Sequence, residues 1–161
     1  GRPPLEVRVR LDPAGLALDA VVIVLHAKAS SDTASRDRRE AAARALEAHL
    51  VSTWPTTPVW VLGDFNDDVD TSITTGAASP YANFVAAPDW SFPTSALSMQ
   101  GVASTVGYDD VIDHHLVSDE VGAWYEAGSA EAYRVDQWIP RYGSSTTDHY
   151  PVLTRYALPG G

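Results

Sequence analysis

The chain has no cysteine and one methionine in 161 residues. Without thiols there are no disulfides, no thiolate metal ligands and no cysteine nucleophile. Any metal must be held by oxygen or imidazole donors, and oxygen-rich sites favour magnesium, manganese or calcium over structural zinc. Long apolar runs are missing too. Ala20 to Leu25 falls far short of the roughly 18 residues a membrane helix needs. Positive charge is scarce: 11 Lys and Arg stand against 21 Asp and Glu, a formal net charge of -10. A protein that grips long nucleic acid draws much of its affinity from a basic footprint, and this composition offers none. There is no internal repeat and no low-complexity tract. What is present is a core: 45% hydrophobic residues, with five Trp and seven Tyr, in a chain of single-domain length, here read as one domain over 1–161.

The pattern along the chain alternates strands with helix and loop. Leu5, Val7, Val9 and Leu11 alternate with Glu6, Arg8 and Arg10, a half-buried strand. Asp12-Pro13-Ala14-Gly15 is a turn. Leu16 to Leu25 returns as a strand that becomes wholly apolar, and so is central. Ser35 to Val51, rich in Ala, Leu, Glu and Arg, predicts a helix whose buried face carries Ala42, Leu46 and Leu50 with Ala45 beside them. Val59 to Leu62 is a buried strand, Tyr81 to Val85 a helical turn, and Pro88 to Gly107 irregular chain. Strands are expected at Val111 to Val117, near Ala132 to Val135, and from Tyr150 to Ala157. The fold class is α/β: a mixed β-sheet with flanking helices.

Polar residues that interrupt or end these strands carry the chemistry. The run Val59-Trp60-Val61-Leu62 ends in Gly63-Asp64-Phe65-Asn66, a carboxylate and a carboxamide two residues apart. A turn explains either alone; a nucleophile-orienting Asp64 and a phosphate-binding Asn66 explain both. His26 ends the preceding apolar strand and would converge with Asp64 if the two strands run parallel, there to act as a general acid or phosphate ligand. Asp113 breaks a second apolar run and, if buried, needs a partner. His149 is the candidate, because a carboxylate on one ring nitrogen fixes the tautomer and favours the imidazolium. Asp148 beside it is a candidate metal ligand. Of His114 and His115, only His115 shares a face with Asp113 in strict alternation. Arg36, Arg38 and Arg39 read as a solvated helix face, His49 as surface, and Trp90 and Phe92 as core. The Asp67, Asp68 and Asp70 cluster lacks the spacing of a calcium loop.

Taken in order, His26, Gly63-Asp64-Phe65-Asn66, Ile112-Asp113-His114 and Asp148-His149-Tyr150-Pro151-Val152 resemble the endonuclease/exonuclease/phosphatase superfamily, the DNase I-like hydrolases. The resemblance runs from Arg2 to about Tyr156. It implies half of a two-sheet α/β sandwich and a divalent-metal phosphoesterase using Mg2+, or Mn2+ or Ca2+ in its place. Asp64 would activate water or bind the metal, with Asp148 as a further metal ligand. Asn66 and His149 would hold the phosphate, Asp113 would orient His149, and His26 would serve as acid. Arg2, in Arg2-Pro3-Pro4, matches a segment from which an arginine can reach substrate. The family's N-terminal half, with its Asn and metal-binding Glu, has no counterpart here, and Glu6 sits in the wrong context to replace that Glu. An intimate partner is therefore expected: the N-terminal half as a second chain, or a second copy. The substrate would be a phosphoester, nucleic acid included. The alternatives are a phosphatase or phosphodiesterase for lipid or small-molecule phosphoesters, and an inactive binding half.

Overall fold

A computed structural model of the chain describes residues 2–12, 15 and 17–159. Leu16 and the two central residues of the expected turn, Pro13 and Ala14, lie outside the described residues. The alternating segment forms β1 (Leu5–Leu11), antiparallel to β2 (Leu18–His26). β2 runs parallel to β3 (Val59–Asp64), so the chain needs a crossover between them. Helix α1 (Thr33–Thr53) is that crossover. It starts where the Asp32 carboxylate accepts the Ser35 amide at 2.9 Å, an N-cap that satisfies one of the free donors of the first turn. Pro55 follows its C-terminal end.

β3 pairs antiparallel with β5 (Asp113–Ser118), and β4 (Trp90–Ser91) closes the far edge. The five strands lie in the order β1-β2-β3-β5-β4. This is the expected mixed sheet with flanking helices. Under α1, one face of the sheet is dry: Val21, Ile23, Val59, Val61 and Leu116 pack with Ala43, Leu50, Phe65 and Phe84. Full burial of side chains of this size contributes about 1.5–3 kcal/mol each.

The other face is covered only in part. Ala20, Trp60, Val117 and Val121 pack beneath Trp124, from the chain after residue 118, and beneath Tyr156 and Leu158 from the C-terminal segment. Toward the His26 end, Leu5 is 62%, Val7 41% and Val24 46% exposed. Leu5 is opposite Val24 and Val7 opposite Val22, so these residues form one apolar strip on one face.

Three expectations are corrected. Helix α1 buries Ser35, Arg39, Ala43 and Leu50, while Ala42 and Ala45 are exposed and Leu46 is half-buried. A buried arginine turns the helix away from its most apolar stripe. The segment after Pro88 is not wholly irregular, since it holds β4 and the short helix α3 (Ser95–Met99) and follows α2 (Ala82–Ala86). The last strand is cut into pieces. Residues 148–150 pair with 104–106, β7 (Val152–Leu153) pairs with β6 (Glu131–Ala132), and Tyr156 bridges to Tyr125. Pro151 has no N–H to continue a ladder, which separates the first two pairings.

Candidate active site at the sheet rim

The site begins at Gly63. Its φ is +135°, and a Cβ there would sit 2.2 Å from the Leu25 carbonyl oxygen, so only glycine fits. That approach locks the end of β2 to the end of β3, with Leu25 opposite Gly63 and His26 opposite Asp64. The parallel strands thus bring His26 Nε2 to 3.4 Å from Asp64 Oδ2. Asp64 Oδ1 accepts the Asn66 amide at 2.8 Å, and Asp64 Oδ2 accepts from Asn66 Nδ2 at 2.7 Å. Asn66 has a φ of 52°, a left-handed conformation that asparagine tolerates better than most residues. Its side-chain nitrogen also donates to the Ala27 carbonyl at 3.3 Å.

Behind this turn lies an ion pair that the sequence concealed. Arg39 and Asp67 have fully buried side chains, with Nη2 2.7 Å from Asp67 Oδ2. Arg39 Nε donates to the same oxygen at 2.9 Å, and Nη1 donates to the carbonyls of Lys28 and Ser30 at 2.7 and 2.8 Å. Asp67 also accepts from the Ser72 hydroxyl at 3.0 Å and the Ile73 amide at 2.8 Å. Helix α1, the chain after His26 and the chain after Asn66 are therefore tied at one point. Arg39 is not part of a solvated face.

The second half of the site comes from β5 and the chain at 148–150. Asp113 stands opposite Asp64 in the sheet register. The Val106 amide donates to the Asp148 carbonyl and the Tyr150 amide to the Ser104 carbonyl, both at 2.8 Å, which sets His149 beside Asp113. His149 Nδ1 lies 3.0 and 2.8 Å from the two Asp113 oxygens. Ser104, buried and unmarked in the sequence, donates to Asp113 Oδ2 at 2.8 Å.

Partial burial works against a charged His149, but the hydrogen bond and charge of Asp113, with Asp64 and Asp148 behind, outweigh it and raise its pKa. Burial raises Asp113 in turn, opposed by its bonds to His149 and Ser104. With both oxygens facing one ring nitrogen, the direction that matters is the stabilised imidazolium. The adjacent histidines behave differently. Burial holds His114 down to about 3 and His115 to about 4, so both are neutral. His114 packs inward with Nδ1 2.9 Å from Thr94 Oγ1. His115, on the face of Asp113, sits 2.7 Å from Thr154 Oγ1.

His26, Asp64 and Asn66 therefore form one group, Asp113 and His149 a second, and the sheet register sets the two side by side. Asp148 is exposed beside them in a cleft with Tyr108 and Arg141. Arg2 is exposed and shares a small cavity with His26, without contacting Asp64. Glu6 pairs with His49 at 2.6 Å, far along α1. Among the described residues, no three carboxylate or imidazole groups gather closely enough to hold a metal ion. The donor set here does not by itself fit a metal, and no chemical step is derived through one.

The sequence matches no family model and no curated protein. Solved structures do match its fold. The 3′ phosphatase NExo from Neisseria, bound to a product DNA hairpin, aligns with a TM-score of 0.62 at 19% identity over 88% of this chain and 63% of its own. The human Nocturnin catalytic domain aligns at 0.59 and 17% over 95% and 58%. An endonuclease/exonuclease/phosphatase from Beutenbergia cavernae aligns at 0.64 and 16% over 92% and 38%. The chain spans less than two thirds of the length of each. Over the part it spans, it has the fold of the endonuclease/exonuclease/phosphatase proteins.

Proposed function

We propose that the chain carries the reacting rim of a phosphoester hydrolase. The observation that supports this best is the meeting of the Asp64–Asn66 turn with the Asp113–His149 pair across adjacent strands, beside His26. In the reaction, a water oxygen bonds to phosphorus while the bond from phosphorus to the leaving oxygen breaks. Asp64 orients the water and draws its proton. The His149 imidazolium holds the non-bridging oxygens, where negative charge builds in the transition state, and Asn66 joins it when the substrate replaces its long 3.3 Å bond to Ala27. His26 gives a proton to the leaving oxygen. Asp113 is a positioning residue that keeps His149 charged and oriented.

A divalent cation, Mg2+ by preference, belongs to this reading only for the assembled protein. Asp64 and Asp148 are this chain's share of its ligands, and the rest must come from elsewhere. The same argument applies to the bare strip of Leu5, Val7 and Val24, for which the proposed cover is the N-terminal half of the sandwich.

The test is hydrolysis of bis(p-nitrophenyl) phosphate by the native protein. Asp64→Ala and His149→Ala should each lower kcat/KM by about a hundredfold or more. Variants as active as the parent would overturn the assignment. The thin donor set favours a second reading, an inactive binding half. That reading gains if no turnover appears even with the N-terminal half present.

A further inference from the structure

Two clefts open onto the polar rim, and one residue walls both. The first, of about 730 Å³, holds Asp148 together with Tyr108, Arg141 and Gly143. The second, of about 440 Å³, holds Asn66 together with Tyr108, Ser31 and Asp110. Tyr108 is 67% exposed, an aromatic ring left standing in water. Its placement is not accidental to the site. The Tyr108 amide donates to Thr105 Oγ1 at 3.2 Å, and Thr105 bridges directly to His149.

Arg141 faces the same first cleft from a left-handed backbone, φ 57°, in a residue with a full side chain. Such strain persists where the surroundings enforce it, and it clusters at ligand sites. Gly143 fixes that wall, since a Cβ there would meet Val106 Cγ1 at 3.1 Å. Among the described residues Arg141 forms no ion pair, whereas the nearby Asp136 is taken by Arg134 at 2.7 Å. Arg141 supplies the positive charge of a cleft whose other charged walls are Asp136 and Asp148, on the same cleft as the exposed ring.

We propose that Tyr108 and Arg141 form a substrate-selecting subsite, the ring stacking on a planar group joined to the reacting phosphate and Arg141 meeting a second phosphate beyond it. The preferred substrate is then a short single-stranded nucleotide diester. A tetrahedral phosphorus sends the two organic groups of a diester in different directions, one for each cleft. A compact monoester would leave one cleft empty. Aromatic stacking accepts any base and needs no broad basic surface, which fits the acidic composition.

This subsite rests on the hydrolase reading, but binding can be measured without turnover. Calorimetry would follow a 5′-phosphorylated thymidine dinucleotide with a phosphorothioate linkage, added to the native protein. Tyr108→Ala should weaken binding about tenfold, and Tyr108→Trp should bind as well as the parent or better. Arg141→Gln should weaken the dinucleotide bearing the 5′ phosphate and leave the one without it unchanged. Unaltered binding by Tyr108→Ala overturns the proposal. So does an equal loss in Tyr108→Trp, provided the thermal midpoints match the parent. Tyr108-dependent binding without hydrolysis of any phosphoester would leave the subsite standing and remove the hydrolase. Hydrolysis with Tyr108-independent binding would do the reverse.

Discussion

The two arms of the site are built in opposite ways. The Asp64 arm is held from behind. Gly63 locks it to β2, and the dry Arg39–Asp67 pair ties three segments together beneath it. The buried Tyr81 hydroxyl also donates to the Phe65 carbonyl. The His149 arm hangs on a short pairing of 148–150 with 104–106, and its side chains are partly open to water. One arm is coupled to the folding of the whole sheet. The other can be altered with the sheet intact. Damage to the first should appear as lost stability, and damage to the second as a changed pH profile.

The sharpest way to break this contrast is Arg39→Ala. It strands Asp67 as a buried unpaired carboxylate and frees the carbonyls of Lys28 and Ser30. Removing one partner of a buried pair costs about 3–5 kcal/mol, which urea unfolding would read as a lower midpoint at unchanged slope. Replacing both partners, Arg39→Met with Asp67→Leu, should recover much of that loss, because no charge is left without its partner. If Arg39→Ala melts like the parent, the Asp64 arm is not anchored as described.

On the other arm the expected effect is chemical. Asp113→Asn removes the negative charge that keeps His149 protonated, so the raised pKa falls back toward the ordinary imidazole value. The parent's kcat/KM should decline as pH rises through that raised pKa, and in Asp113→Asn the decline should begin at lower pH. Stability follows the same sign. The contribution from His149 is complete below the ordinary histidine value and is lost as pH rises through the folded one. Asp113→Asn should flatten that part of a plot of melting temperature against pH. A decline at the same pH in both proteins would show that Asp113 does not set the charge on His149.

The same contrast explains what could be read from the residues alone. Strands β1 to β3 and α1 were legible because alternation and helical composition are local signals. The juxtaposition of His26 with Asp64 was legible only on the condition that two apolar strands ending in polar groups run parallel, which the sheet meets. Asp113 was legible as a charge interrupting an apolar run, and it does meet His149. Arg39 was not. A pattern that counts apolar positions assigns every arginine to solvent, and its partner lies 28 residues away. Ser104 and Thr94 gave no signal, because a serine or threonine in irregular chain looks the same whether it bonds a half-buried carboxylate or a buried imidazole, or faces water. Pro151 was visible, but its effect on the last strand depends on where neighbouring segments fall, and that is decided only in three dimensions.

The smallest effect tests whether the anchored arm is optimal throughout. Asp68 follows Asp67 and is also buried, and among the described residues it forms no ion pair. Loss of hydration raises its pKa to about 6 from 3.8; the Ser98 hydroxyl opposes this and the charge of Asp70 adds to it. For an acid whose folded pKa is raised, the sign is opposite to that of a salt-bridged aspartate. Stability is greatest below the unfolded value of 3.8 and is lost as pH rises through about 6. Asp68→Asn can still accept the Val69 amide, now given to Asp68 Oδ1 at 2.6 Å, and has no charge to desolvate. It should therefore stabilise the protein by about 1 kcal/mol at neutral pH, after discounting for partial solvent screening, and by nothing near pH 4. Melting curves of the two proteins across that range would converge at the acid end. Curves that stay parallel would mean that Asp68 is already neutral in effect, and that the anchored arm carries no electrostatic cost of its own.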